Sequence, residues 1–239
     1  MQTTNRRRPA LVDGRKVLNA RMAGVFLLLT ALATAMSVLG RLASDTDRSG
    51  LDESLAAIAS NMFPYVLAGA GRLASGITLL LAAHYLRGRG LANRDRVSRF
   101  VFPLLTLSGI ANAVSGGLAI VPARVASTIL PLDSSFGMPP GVRTVADLHS
   151  LTGTVSFALA GLGLVALCGT LWRAGGVLRG LALLTAALGL GMQFIWVDAA
   201  TAPHRVSGAA YLIWLVTVGG ILVSAPAVAI PDRNAAAPT

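Results

Sequence analysis

A single cysteine, Cys168, lies inside a long apolar run. One thiol excludes an intrachain disulfide and any CxxC redox or zinc chemistry, and its position reads as a small buried hydrophobe. Charge is scarce too: 13% of the 239 residues are Asp, Glu, Lys or Arg, against roughly a quarter in a soluble domain. Aromatics make up 5% and are not interleaved with the basic residues. The net charge of +10 is therefore not the surface of a nucleic-acid binder. No HExxH zinc-enzyme motif, soluble domain or convincing internal repeat is present.

What the chain has instead is 54% hydrophobic residues and a mean hydropathy of +0.68. The apolar residues fall in runs of about 20, the length that crosses a hydrocarbon core as helix. Six spans are predicted, at 22–42, 65–86, 100–122, 149–172, 177–198 and 206–227. The fold class is all-α: a polytopic transmembrane bundle of six helices within residues 18–230. Residues 1–17 form a disordered basic cytoplasmic tail, and 231–239 a second cytoplasmic tail. Ala33-Thr34-Ala35 resembles a signal-peptidase site, but apolar character continues through Val38 and Leu39, so the first span reads as an anchor.

Orientation follows from the basic residues. With both termini cytoplasmic, fourteen of the 20 Lys and Arg residues lie inside, while Asp45, Asp47, Asp52, Glu53, Asp133, Asp147 and Asp198 lie outside. The basic stretch 84–99 is then a cytoplasmic topology determinant, and Tyr85, Trp172 and Trp196 are interface anchors. Between the first two spans, Leu51, Leu55, Ile58 and Met62 recur at helical spacing behind Ser49, a capping residue, with Asp52 and Glu53 suited to the helix N-terminus. A short interfacial helix on the outer surface is expected there. Residues 122–147 read as an outer connection rich in Pro and Gly.

In this frame Asp147, His149, Asp198 and His204 all fall at the outer interface. His149 heads a stripe of small residues, Gly153, Ser156, Ala160 and Gly163, that lets helices approach closely. Arg72 lies roughly 10 Å along its helix from Tyr65 at about 1.5 Å per residue, a depth at which a charge faces a cavity or a partner. Gln193 is at comparable depth and Asn112 nearer the middle. The expectation is a polar pocket in the outer half of the bundle. Asp198 and His149 are its acid-base candidates; Arg72, Gln193, His204, Asp147 and Asn112 are its ligand-binding candidates.

Several chemistries fit such a pocket. The leading one is a non-enzymatic accessory module that binds a lipid or small amphiphile. Next is a cofactor-free enzyme acting on a lipid or isoprenoid, with Arg72 holding an anionic headgroup. No metal site and no cofactor are predicted, although His149 and His204 are donors of the right type for a b-type haem or zinc. His84 lies toward the opposite face, so no second haem stacks beneath the first. The Ser-Gly pairs at Ser75-Gly76 and Ser115-Gly116 resemble those of intramembrane serine proteases, but no histidine is expected at matching depth. Membrane lipids are the expected partners, nucleic acid is not, and a homo-oligomer or a partner membrane protein is left open.

The stretch ARMAGVFLLLTALATAMSVLG, the polar DESLAAIASN and the following YVLAGAGRLASGITLLLAAHYL resemble a broad group of uncharacterised bacterial multi-pass membrane proteins. The likeness covers roughly residues 18–90: an Arg21-x-x-Gly24 start, a short outer amphipathic segment and an Arg in the second helix. It implies a fold and no activity. Heavy Ala, Gly and Arg usage with almost no Lys looks like a high-GC bacterium, hence a plasma-membrane protein.

Overall fold

The computed structural model describes residues 14–45, 51–87, 98–128, 141–174, 176–196 and 201–224. They form eight α-helices, one 3-10 segment and, among the described residues, no strand. The helices are α1 (Gly14–Ser44), α2 (Leu51–Ser60), α3 (Met62–Arg87), α4 (Ser98–Leu118), α5 (Ile120–Thr128), α6 (Val142–Ala174), α7 (Gly176–Gly191) and α8 (Thr201–Ser224), with the 3-10 segment Met192–Trp196 extending α7. Six stretches among them are long and apolar enough to cross a membrane: Val17–Ser44, Met62–Arg87, Arg99–Ser127, Val142–Arg173, Arg179–Trp196 and Arg205–Ser224. The all-α polytopic bundle read from the sequence is the fold observed.

Local chemistry explains several boundaries. Pro64, Pro122 and Pro203 each occupy the third position of a helix, in the first turn where the missing N–H costs nothing. Asp45 takes a positive φ of 48° just past the end of α1, and Gly141 one of 95° just before α6. Both are left-handed positions at which a helix axis cannot simply continue.

The helices pack in the order α8, α1, α3, α4, α6, α7, and α8 leans back onto α7 and the 3-10 segment. The central core draws Leu27 and Ala31 from α1, Leu79 and Ala82 from α3, Leu164 from α6, and Tyr211, Trp214 and Leu215 from α8 around Met192. Because lipid tails are as apolar as these side chains, close backbone approach and interhelical hydrogen bonds must do much of the joining. Glycines sit at the crossings. A Cβ on Gly76 would lie 2.5 Å from Gly109 O, and one on Gly116 2.4 Å from Leu73 N. Reciprocal contacts join Gly24 to Gly219 and Gly161 to Gly189.

The structure departs from the sequence reading in three places. Helix α1 begins at Gly14, so residues 14–17 of the expected tail are helical. The connection 122–147 is helical at both ends, as α5 to Thr128 and as α6 from Val142. These stretches stand beyond the apolar runs, where the run-length signal is silent. The short helix at Leu51–Ser60 is present, but Leu55 and Ile58 are buried against Ala123, Ala126, Val142 and the half-buried Tyr65 and Val125. These two residues of its apolar stripe are covered by protein. Together α2, α5 and the first turn of α6 cap one end of the bundle.

Candidate functional site

Beneath that cap, three helices are tied together at one depth. Arg72 Nη1 of α3 donates to Ser115 Oγ of α4 at 2.9 Å. Ser115 Oγ donates in turn to the carbonyl of His149 on α6 at 2.8 Å. His149 Nδ1 lies 2.8 Å from Ser115 O. A carbonyl oxygen only accepts, so Nδ1 carries the proton and the lone pair of the neutral ring is on Nε2. Nδ1 is also 3.3 Å from Ser115 Oγ. The ring is half-buried, and the guanidiniums of Arg72 and Arg41 both act on it electrostatically.

The placement of Arg72 follows from helix geometry. Side chains lean toward the N-terminus of their helix, and α3 begins at the capped end, so the guanidinium leans toward the cap and away from the middle of the bundle. Gly153 makes room for it: a Cβ there would lie 2.9 Å from Arg72 Nη1 and 3.3 Å from Ser115 Oγ. The small stripe on α6 therefore faces α4 and the Arg72 head.

The same reciprocal arrangement recurs one heptad away. Ser108 Oγ donates to Ser156 O at 2.8 Å and Ser156 Oγ to Ser108 O at 2.9 Å. Positions 108 and 115 on α4, and 149 and 156 on α6, are seven apart, the repeat of helices packed at a small left-handed angle. A second string joins Asn112 Nδ2 to Ser75 Oγ at 3.2 Å and Ser75 Oγ to Thr34 Oγ1 at 2.7 Å. Thr30 Oγ1 donates to Thr78 Oγ1 at 2.9 Å. The result is a polar seam through α1, α3, α4 and α6.

Of the sequence-predicted residues, the structure brings together Arg72 and His149, with Asn112 on the neighbouring string. Gln193 is elsewhere. Its Nε2 donates to Ala158 O at 3.1 Å and Gly189 O at 3.3 Å. Ala158 lies nine residues along α6 from His149, roughly 13 Å at about 1.5 Å per residue. Gln193 fastens the α6–α7 crossing and has no hydrogen bond to the Arg72–Ser115–His149 group. Asp147 is exposed. Asp198 lies outside the described residues, as does the side chain of His204, whose backbone is in α8.

The sequence reading names Ser115 only as part of a Ser-Gly pair with no histidine expected at its depth; the structure places His149 there. The signal was the shared seven-residue spacing of the two serines on α4 and of His149 and Ser156 on α6. The contact is not a nucleophile-base pair in this state. The hydroxyl proton goes to a carbonyl, and Nδ1, already protonated, has no lone pair to accept it.

Beside the seam, a groove of about 290 Å³ runs between α3 and the continuous α4–α5 stretch. Met62, Val66, Ala70, Leu73, Ala119 and Ile120 line it, and Arg124 and Ser127 stand at one end. Val66 and Ile120 are exposed, so the groove opens to the outside of the bundle. Among the described residues no group of three or more His, Cys, Asp or Glu gathers as a metal set.

No family model, curated protein or solved structure matches this chain.

Proposed function

We propose that the chain is a non-enzymatic integral protein of a bacterial plasma membrane, with cytoplasmic termini, that holds a lipid or small amphiphile near its outer, capped end. The observation that carries this reading is the closed donor-acceptor cycle at Ser115 and His149. The hydroxyl proton and the imidazole proton are each engaged by a carbonyl of the neighbouring helix, and Arg72 is bonded to the same hydroxyl. Groups so engaged clamp helices. The apolar groove beside them supplies a surface for an amphiphile, and the distribution of Arg supports the orientation.

One observation favours a second reading. The tautomer of His149 leaves its basic nitrogen, Nε2, outside the cycle. A cofactor-free enzyme would use Nε2 as base and Asp198 as acid on a lipid or isoprenoid, with Arg72 near the anionic headgroup. A haem or a zinc ion would likewise draw its first donor from Nε2 and a second from His204.

The detergent-purified protein separates these. The proposed function predicts no Soret band, no stoichiometric zinc, and no product by mass spectrometry after incubation in nanodiscs with total bacterial lipid. Substituting His149→Ala then lowers unfolding stability. A Soret band or one zinc lost with His149→Ala would replace the proposal with the cofactor reading. A lipid product abolished by both Asp198→Asn and His149→Ala would replace it with the enzyme.

A further inference from the structure

The groove between α3 and α4–α5 has the length and polarity of one lipid tail. Its floor is made of small residues because the helices meet there: a Cβ on Gly69 would lie 3.0 Å from Ala119 Cβ and 3.3 Å from Gly116 O. That smallness leaves an open strip just outside the contact, walled by Val66 and Leu73 on one side and Ile120 on the other. The strip runs along the helix axes. From Met62 to Leu73 it covers roughly 16 Å at about 1.5 Å per residue, close to half of a hydrocarbon core about 30 Å thick.

Depth places the charge. The start of the candidate span Met62–Arg87 and the end of the candidate span Arg99–Ser127 lie at the same end of the groove, so Arg124 stands near headgroup level and the strip runs from it into the hydrocarbon. Arg124, exposed on α5, is at that end of the groove. An apolar slot parallel to the membrane normal, ending in a guanidinium at headgroup depth, matches a lipid in both halves. A guanidinium pairs with phosphate oxygens through its fork of donors, and a headgroup with net negative charge gains more from it than a zwitterionic one with the same tails.

We infer that this groove holds one acyl chain of an anionic phospholipid, with the headgroup phosphate against Arg124. The inference rests on the reading of the chain as an amphiphile-binding module and names the amphiphile and its place. It is independent of the seam chemistry, since Arg72, Ser115 and His149 do not line the groove.

Native mass spectrometry of the full chain in detergent micelles tests it, with phosphatidylglycerol and phosphatidylcholine of identical tails titrated as probes. The wild type should retain one phosphatidylglycerol about five-fold more tightly than phosphatidylcholine, the contribution of one basic residue near an anionic surface. Arg124→Gln should abolish that preference and keep the weaker, tail-driven retention. Ala70→Phe, at an exposed lining position, fills the groove and should lose both lipids. Thermal midpoints report folding; should Ala70→Phe fail to fold, Ile120→Ala removes a wall and should weaken both lipids. A wild type that retains no lipid overturns the amphiphile reading as a whole. Retention unchanged by Ala70→Phe and by Ile120→Ala overturns the groove assignment alone. Equal retention of the two lipids, or full preference in Arg124→Gln, overturns the anionic headgroup.

Discussion

His149 and Ser115 hold each other's backbone: Nδ1 of His149 donates to the Ser115 carbonyl, and Ser115 Oγ donates to the His149 carbonyl, both at 2.8 Å. Ser156 and Ser108 repeat the exchange seven residues along both helices. Each exchange fixes α4 and α6 in rotation and in axial register, because a shift of either helix breaks two bonds together. In a medium without water, a carbonyl or imidazole released from such a pair has few other partners.

Adjacent glycines on α4 should behave oppositely. A Cβ on Gly116 would lie 2.4 Å from Leu73 N and 2.7 Å from Gly69 O, whereas one on Gly117 would meet nothing within 4 Å. Gly116→Ala must push α3 and α4 apart and is expected to cost about 1–3 kcal/mol. Gly117→Ala should be neutral or stabilising by up to about 1 kcal/mol. Unfolding of both variants in mixed micelles checks the contrast.

Gly153→Ala would bring a methyl group to 2.9 Å from Arg72 Nη1. The guanidinium is the far end of a flexible chain, so it moves and its bond to Ser115 is lost, at about 1 kcal/mol. In an Arg72→Ala background the same substitution should cost little. Equal cost in both backgrounds would show that Gly153 serves the backbone contact with α4 and not the arginine.

Gln193→Ala and His149→Ala should be additive in stability to within about 0.5 kcal/mol, the behaviour of independent sites. Gln193 bonds Ala158 O and Gly189 O, away from the Arg72 group. A larger coupling, read from the double variant, would restore the single pocket expected from the sequence.

Orientation is checked by labelling. In a Cys168→Ala background, Ser60→Cys on the exposed face of α2 should react with an impermeant maleimide in intact cells, and Arg99→Cys only after permeabilisation. The reverse pattern would put the cap and its groove on the cytoplasmic side.

The spans were legible because a run of about 20 apolar residues has few other uses. The cap was half legible. The Leu55 and Ile58 stripe announced a helix, but an amphipathic stripe does not say whether lipid or protein covers it, and here Ala123, Ala126 and Val142 do. His149 was correctly expected to face the bundle from the small stripe it heads. Its partner was not read, since the seven-residue spacing shared by Ser108 and Ser115 with His149 and Ser156 marks a matching repeat on the two helices but does not say which helices pair. Gln193 stands apart from the Arg72 group for a related reason: depth along a helix gives no azimuth, and its azimuth faces Ala158 and Gly161.

The most direct test of the clamp is a double-mutant cycle on Ser115→Ala and His149→Ala, read from reversible unfolding in bilayer-like micelles. The volume lost with the imidazole appears in both arms and cancels, leaving the mutual interaction. The structure predicts a favourable coupling of about 1 kcal/mol, the scale of interhelical hydrogen bonds in membranes. A coupling indistinguishable from zero, with His149→Ala as stable as the wild type, would contradict it and make His149 a residue kept for chemistry.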